Sequence, residues 1–239
     1  MPSLLAHRGA HHRHPENTLG AFADAMELGA DGVELDVRLT RTGEVVCFHD
    51  PTLRRLAGDP RPIAWLSRPD LDRVELGDAQ RVPTLDDALD LVLGRGGRVN
   101  VEAKGDVPDQ LHLARRIAET LRRRPGRERE AIFLSTFYPS LFLMLRALLP
   151  GVRAAWLYDD ERMPPARAEA LARFLRPDGL HPRHDLVDER MVLRWHRHGT
   201  FVNAWTVNAP DAMRRVAEAG VDGIITDDIP TARRVLGRV

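Results

Sequence analysis

Gly32-Val33-Glu34-Leu35-Asp36-Val37-Arg38-Leu39 is the stretch on which the fold turns. In an extended chain it sends Val33, Leu35 and Val37 to one face and Glu34 and Asp36 to the other. The apolar face calls for helices packed over it. The acidic face has two readings. On an edge facing water, alternating acids are ordinary. Turned into a barrel, they put two negative charges in a confined space of low dielectric, which is costly unless a cation or protons compensate.

Working outward, short β-rich runs alternate with helical patterns along the whole chain. The expected strands are Leu4–His7, Gly32–Leu39, Val99–Ala103, Ala131–Ser135, Arg153–Leu157, Asp178–His181, Phe201–Trp205 and Gly223–Thr226. Apolar residues at three- and four-residue spacing predict helices between them, such as Thr18–Leu28 and Asp109–Arg124. Thr84 with Asp87 three residues on predicts a capped helix start, and Pro210 and Pro230 suit first turns. Eight strand–helix units predict an α/β chain folded as a (β/α)₈ TIM barrel. An open doubly wound sheet is the alternative. Closure is favoured because polar residues fall at the C-terminal ends of several strands and no G-x-G-x-x-G signal is present.

One stretch breaks the alternation. Arg41-Thr42-Gly43 turns into a hairpin arm, Glu44–His49, and residues 51–83 then hold five prolines and a short helical segment. This reads as a small insertion after the second strand, over the barrel mouth. It is expected to be too small to own a core, so that residues 1–239 form one domain.

The composition narrows the class. At 239 residues with 43% hydrophobic and 29% charged, the chain suits one barrel with a charged surface. Lys+Arg and Asp+Glu balance at 35 each, so no global field recruits nucleic acid or an anionic membrane, and phosphate recognition has to be local. The lone Cys47 excludes an internal disulfide framework and fits a reducing compartment. No signal peptide is evident at the first residues, and the apolar stretch 141–150 is too short to span a bilayer. A cytoplasmic protein with no stable membrane insertion is expected, with a small molecule as its partner.

Glu102, on the third expected strand, completes a set of three carboxylates with Glu34 and Asp36. An all-oxygen site suits a hard divalent ion, Mg²⁺ or Ca²⁺. Lys104 shares the face of Glu102 and is either a phosphate ligand or an ion-pair partner of Glu102 or Asp36. His7 ends the first strand and His49 the hairpin arm, so a barrel brings together two groups suited to proton transfer. Arg8 offers a planar fork for phosphate oxygens, and Gly9 allows close backbone approach. The histidine-rich loop 9–14 reads as a solvated positive loop at the mouth, with a zinc site as the other reading. Glu16 and Asn17 are candidates for the outer shell of the metal, Asn17 also for a helix cap, and His181 for a substrate contact at the mouth.

His7-Arg8-Gly9, Pro15-Glu16-Asn17-Thr18, Glu34-Leu35-Asp36-Val37, His49-Asp50-Pro51-Thr52-Leu53, Val82-Pro83-Thr84-Leu85 and Glu102-Ala103-Lys104 occur in this order. With Asn203-Ala204-Trp205-Thr206-Val207-Asn208 and Asp222-Gly223-Ile224-Ile225-Thr226-Asp227, they resemble the glycerophosphodiester phosphodiesterases over nearly the whole chain. The resemblance implies a metal at Glu34, Asp36 and Glu102, His7 and His49 as general acid and base, and phosphate bound by Arg8 and Lys104. It implies an apolar wall at Trp205 and release of glycerol 3-phosphate and an alcohol. Thr42 and Arg54 depart from the acids common in the family, both in the turn and insertion. Related barrels that cleave lysophospholipid or sphingomyelin headgroups, and a non-catalytic barrel that binds sugar phosphates, are the alternatives.

Overall fold

A computed structural model describes residues 1–238. The strands are β1 (Ser3–His7), β2 (Gly32–Leu39), β3 (Val45–Cys47), β4 (Arg98–Ala103), β5 (Ile132–Thr136), β6 (Arg153–Tyr158), β7 (Gly179–Pro182), β8 (Phe201–Ala204) and β9 (Gly223–Thr226). All but β3 are parallel neighbours, and the ring closes because β1 pairs with both β9 and β2. The architecture is the expected TIM barrel. Every expected barrel strand is present, with ends shifted by no more than one residue. The hairpin arm is shorter than expected. Only Val45–Cys47 pairs, antiparallel to β2 and outside the ring, and His49 lies two residues beyond it.

Helices cover the outer face where Val33, Leu35 and Val37 point. The helix Gln110–Arg122 shows why: Leu113, Ala114, Ile117, Ala118 and Leu121 fall on one stripe and are buried. The Asp109 side chain accepts from the His112 N–H at 2.8 Å, closing the first turn. Thr84 and Asp87 form the expected capping box at the start of Leu85–Gly94. Among the described residues, no helix is long and apolar enough to cross a membrane.

The insertion corrects one expectation, because it has a small core of its own. Val46, Phe48, Leu53, Ile63, Leu66, Leu71, Val74, Leu76 and Val82 form an apolar cluster separate from the main one. Its two ends are held together where the Cys47 N–H donates to Pro83 O at 2.9 Å and Val46 bridges Thr84. Val46 and Phe48 supply the apolar base that residues 51–83 lack by themselves.

Inside the ring the strand register sets the level of each inward side chain. Glu34, Ser135, His181 and Ile225, from alternate strands, stand at one level inside the ring. Ser3, Arg98, Arg153 and Phe201 form the floor, beside a cavity of about 260 Å³ that Phe133 and Asn203 also line. Arg153 lies over the Phe133 and Phe201 rings at 6.0 and 5.6 Å from their centroids. Gly179 makes room for this filling, since a Cβ there would come within 2.2 Å of the Phe201 ring.

Candidate active site

The polar residues converge where the strands end. Glu34 and Asp36 come from β2 and Glu102 from β4, and one donor oxygen of each lies within 4.8 Å of the others. All three are buried, at 3%, 1% and 9% exposure. Burial, and then the charges of Asp36 and Glu102, push the Glu34 carboxyl well above the usual carboxylate range. Its Oε1 is buried without a hydrogen-bond partner. An unpartnered buried acceptor in a cluster of three carboxylates fits a hard divalent cation.

Asp36 is handled differently. Burial opposes its charge, but Lys104 and Arg8 hold its carboxyl well below the usual range. Lys104 Nζ donates to Glu102 Oε1 at 2.7 Å and to Asp36 Oδ1 at 3.1 Å, so the ion-pair reading of Lys104 is realised in this arrangement. Burial works against the ammonium too, yet Glu102 and Asp36 raise its pKa. Asn17 clamps Asp36 twice: Nδ2 donates to Oδ2 at 2.9 Å, and Oδ1 accepts from the Asp36 N–H at 3.0 Å. The helix cap expected of Asn17 belongs to Thr18, whose hydroxyl accepts from the Ala21 N–H. Asn17 sits at φ 57°, a left-handed conformation that asparagine tolerates better than most residues.

The loop after β1 is wound tightly against its helix. Arg8 has φ 57°, and its N–H donates to Glu34 Oε2 at 3.1 Å. Its guanidinium joins Glu16 at 2.9 Å and lies 3.2 Å from Asp36. Gly9, at φ +83°, is required by the close approach of the helix, because a Cβ would meet Ala21 at 2.7 Å. Arg55 in the insertion bridges Asp50 at 2.7 Å and Glu16 at 2.6 Å, tying that segment to the first loop.

Each histidine is held by a carboxylate. His7 Nδ1 donates to Asp227 Oδ1 at 2.7 Å, and His49 Nδ1 to Asp50 Oδ1 at 2.7 Å. An ionised carboxylate only accepts, so in the neutral ring Nδ1 carries the proton and Nε2 keeps its lone pair. Burial lowers the pKa of His49, which Asp36 and Asp50 partly offset. Asp227 is itself oriented: Asn208 Nδ2 donates to its Oδ2 at 2.6 Å. Burial opposes its charge, but hydrogen bonds from His11 and His7 hold its carboxyl well below the usual range. The sequence reading assigned no role to Asp227, Asp50 or Asn208. Their signal was present in the motifs that contain them, but pairing Asp227 with His7 requires the closure of β9 onto β1.

Trp205, one residue past β8, is half-buried. The Trp205 ring meets Phe137 edge-on at 5.4 Å, and its Nε1 donates to His181 O at 2.7 Å. His181 departs from its expected position at the mouth surface. Its ring is fully buried against Phe133 and Phe201, and Nε2 accepts from Asn203 Nδ2 at 3.1 Å. The inward period of β7 sends it into the barrel filling. The loop 9–14 is not a single positive cluster either. His11 turns to Asp227 and His14 to Asp78, which leaves His12 and Arg13 exposed to solvent. Cys47 lies in the main core, where burial pushes its thiol pKa well up.

Comparison with known proteins agrees with this geometry. Residues 7–231 match the model of the glycerophosphoryl diester phosphodiesterase family. A glycerophosphodiester phosphodiesterase of Caldanaerobacter subterraneus subsp. tengcongensis is 30% identical over 235 residues, covering 95% of each chain. The crystal structure of the glycerophosphodiester phosphodiesterase of Thermotoga maritima superposes with a TM-score of 0.82 at 28% identity, covering 98% of each chain. A phosphodiesterase of Oleispira antarctica, solved in complex with the product sn-glycerol-3-phosphate, has the same fold, with a TM-score of 0.89 at 23% identity over 99% and 97% of the two chains. From its first strand to its last helix, the chain belongs to the glycerophosphoryl diester phosphodiesterase family.

Proposed function

We propose that this chain hydrolyses glycerophosphodiesters to glycerol 3-phosphate and an alcohol, with a divalent cation held by Glu34, Asp36 and Glu102 and proton transfer by His7 and His49. The observation that carries the proposal is the unpartnered Glu34 Oε1 in a buried three-carboxylate cluster, flanked by two carboxylate-held histidines. Mg²⁺ or Ca²⁺ bound there would supply Lewis-acid stabilisation of the charge that builds on the phosphate oxygens.

The chain's own groups do the rest. Nε2 of one histidine takes the proton from the nucleophile, which we read as the neighbouring glycerol 2-hydroxyl, and Nε2 of the other protonates the departing alcohol. The cyclic phosphate is then opened by water. Arg8 and Lys104 bind phosphate oxygens, exchanging part of their present ion pairs for the substrate. Trp205 and Phe137 exclude water beside the alcohol portion. The product held by the Oleispira antarctica barrel is in keeping with this chemistry. We treat residues 1–239 as one working domain and place the reaction in the cytoplasm, where the single Cys47 fits a reducing environment.

Long acyl chains are disfavoured as substrate parts. In the insertion Ile63 and Leu66 are consumed by its own cluster, leaving Trp65 alone at 71% exposure. The test is release of glycerol 3-phosphate from glycerophosphocholine and glycerophosphoethanolamine with Mg²⁺, Ca²⁺ or chelator. Release that persists in chelator, or in Glu34→Ala, would overturn the metal assignment.

A further inference from the structure

His11 stands outside the acidic trio, yet it shares an oxygen with the catalytic centre. Its Nε2 lies 3.0 Å from Asp227 Oδ1, the atom that His7 Nδ1 reaches at 2.7 Å. All three donor atoms lie within 4.8 Å of one another, separate from the group formed by Glu34, Asp36 and Glu102. We propose that His7, His11 and Asp227 form a second cation site, selective for a borderline transition ion such as Zn²⁺, whose occupation switches the enzyme off.

The donor set decides the ion. Two imidazole nitrogens and one carboxylate oxygen suit a tetrahedral zinc site with water in the fourth position, whereas Mg²⁺ prefers oxygen ligands and octahedral geometry. With Zn–N and Zn–O bonds near 2.0–2.2 Å, tetrahedral ligand atoms stand roughly 3.3–3.5 Å apart. The present separations of 2.7 and 3.0 Å need to open by roughly 0.3–0.8 Å, within reach of side-chain rotation. Asp227 is pre-set for this role, because Asn208 holds Oδ2 and leaves Oδ1 facing the two rings. The nearby Arg8 charge is compensated by Glu16 and Asp36. The ion has access from solvent, since the side chains of His7, His11 and Asp227 are 19%, 28% and 26% exposed.

The switch follows from imidazole chemistry. When the Nδ1 lone pair of His7 is on the ion, its ring proton moves to Nε2. That nitrogen then has no lone pair to accept a proton, and a metal-bound neutral ring does not give one up near neutral pH. His7 fails in either role. This inhibitory half rests on the proposed role of His7, whereas ion binding does not.

The experiment uses the full chain kept in excess Mg²⁺. Co²⁺ serves as the spectroscopic probe and Zn²⁺ as the inhibitor. The expected result is a visible Co²⁺ absorption band characteristic of nitrogen ligation, lost in His11→Ala and kept in Glu102→Gln. Zn²⁺ should stop glycerol 3-phosphate release with a half-inhibitory concentration that does not move when Mg²⁺ is raised tenfold. His11→Ala should raise that concentration at least tenfold. A Co²⁺ band unchanged by His11→Ala, or inhibition relieved in proportion to Mg²⁺, would overturn the proposal in favour of the acidic trio. A His11-dependent band without inhibition would uphold the site and overturn the role given to His7.

Discussion

The two ends of this barrel use arginine and aromatic residues for opposite purposes. At the mouth, Arg8 is committed to Glu16 and Asp36, and Trp205 packs edge-on against Phe137. At the floor, Arg153 spreads over Phe133 and Phe201, and no carboxylate is paired with it among the described residues. The mouth keeps buried charge poorly compensated, with Glu34 Oε1 left unpartnered, while the floor is closed by rings and guanidinium stems. A barrel can tolerate this because the strands decouple its ends: chemistry is set where they finish and stability where they begin. Substitutions at the mouth should therefore change turnover without unfolding, and those beneath it should do the reverse.

Glu34→Ala is expected to have the largest effect, a fall in turnover of about 10³-fold or more, read as glycerol 3-phosphate release. Its melting temperature without added metal should hold or rise, because a buried uncompensated carboxyl has been removed. Loss of both activity and fold would break the division between the two ends. His7→Ala and His49→Ala should each lower kcat by about 10²–10⁴-fold, and the double variant by less than the product of the two if they act as the proposed acid–base unit. Asp227→Asn should lower kcat by about 10–100-fold with a smaller change in KM, as the tautomer of His7 is no longer enforced.

Below the mouth the expected effect is on stability. Burial lowers the His181 pKa from 6.5 to about 3. The unfolded chain therefore binds a proton near pH 6.5 that the folded chain refuses, so stability is present above that pH and is lost as pH falls toward 3. By pH 5 the loss amounts to about 2 kcal/mol. His181→Gln should flatten urea-unfolding stability between pH 7 and 5 by about that amount while kcat at pH 7 stays within a few-fold. An unchanged slope would show that His181 is solvated. Trp205→Ala should have the smallest effect, raising KM several-fold with kcat little changed. Its indole is bonded to His181 O, so it marks the boundary between the two regions.

What the sequence made legible follows the range of each interaction. The period of two along β2 sufficed to put Glu34 and Asp36 on one face, because side-chain alternation is a local property. The eight strands emerged for the same reason. Asp227 was not recognisable as the partner of His7 because the two are joined only when β9 lies beside β1. Asp50 is adjacent to His49 in sequence, yet its function depends on a side-chain rotation that spacing does not encode. His181 was misplaced by the same alternation that succeeded elsewhere: its inward face is correct, but the strand runs on to Pro182 and its ring lies within the barrel filling. Asn17 and Thr18 were confused because both are good capping residues, and only the left-handed backbone at Asn17 separates their roles.

The insertion's separate apolar cluster has a consequence for descent. Residues 51–83 leave the barrel beside Cys47 and return to it at Pro83, so the excursion begins and ends at nearly one point. Its interior is separate from the main core, resting on Val46 and Phe48, and Arg55 ties it to Asp50 and to the Glu16 loop. Lineages can therefore lengthen, shorten or exchange this segment while the ring beneath is inherited intact. Selection for a new leaving alcohol has a place to act that puts neither the carboxylates nor the closure of the barrel at risk.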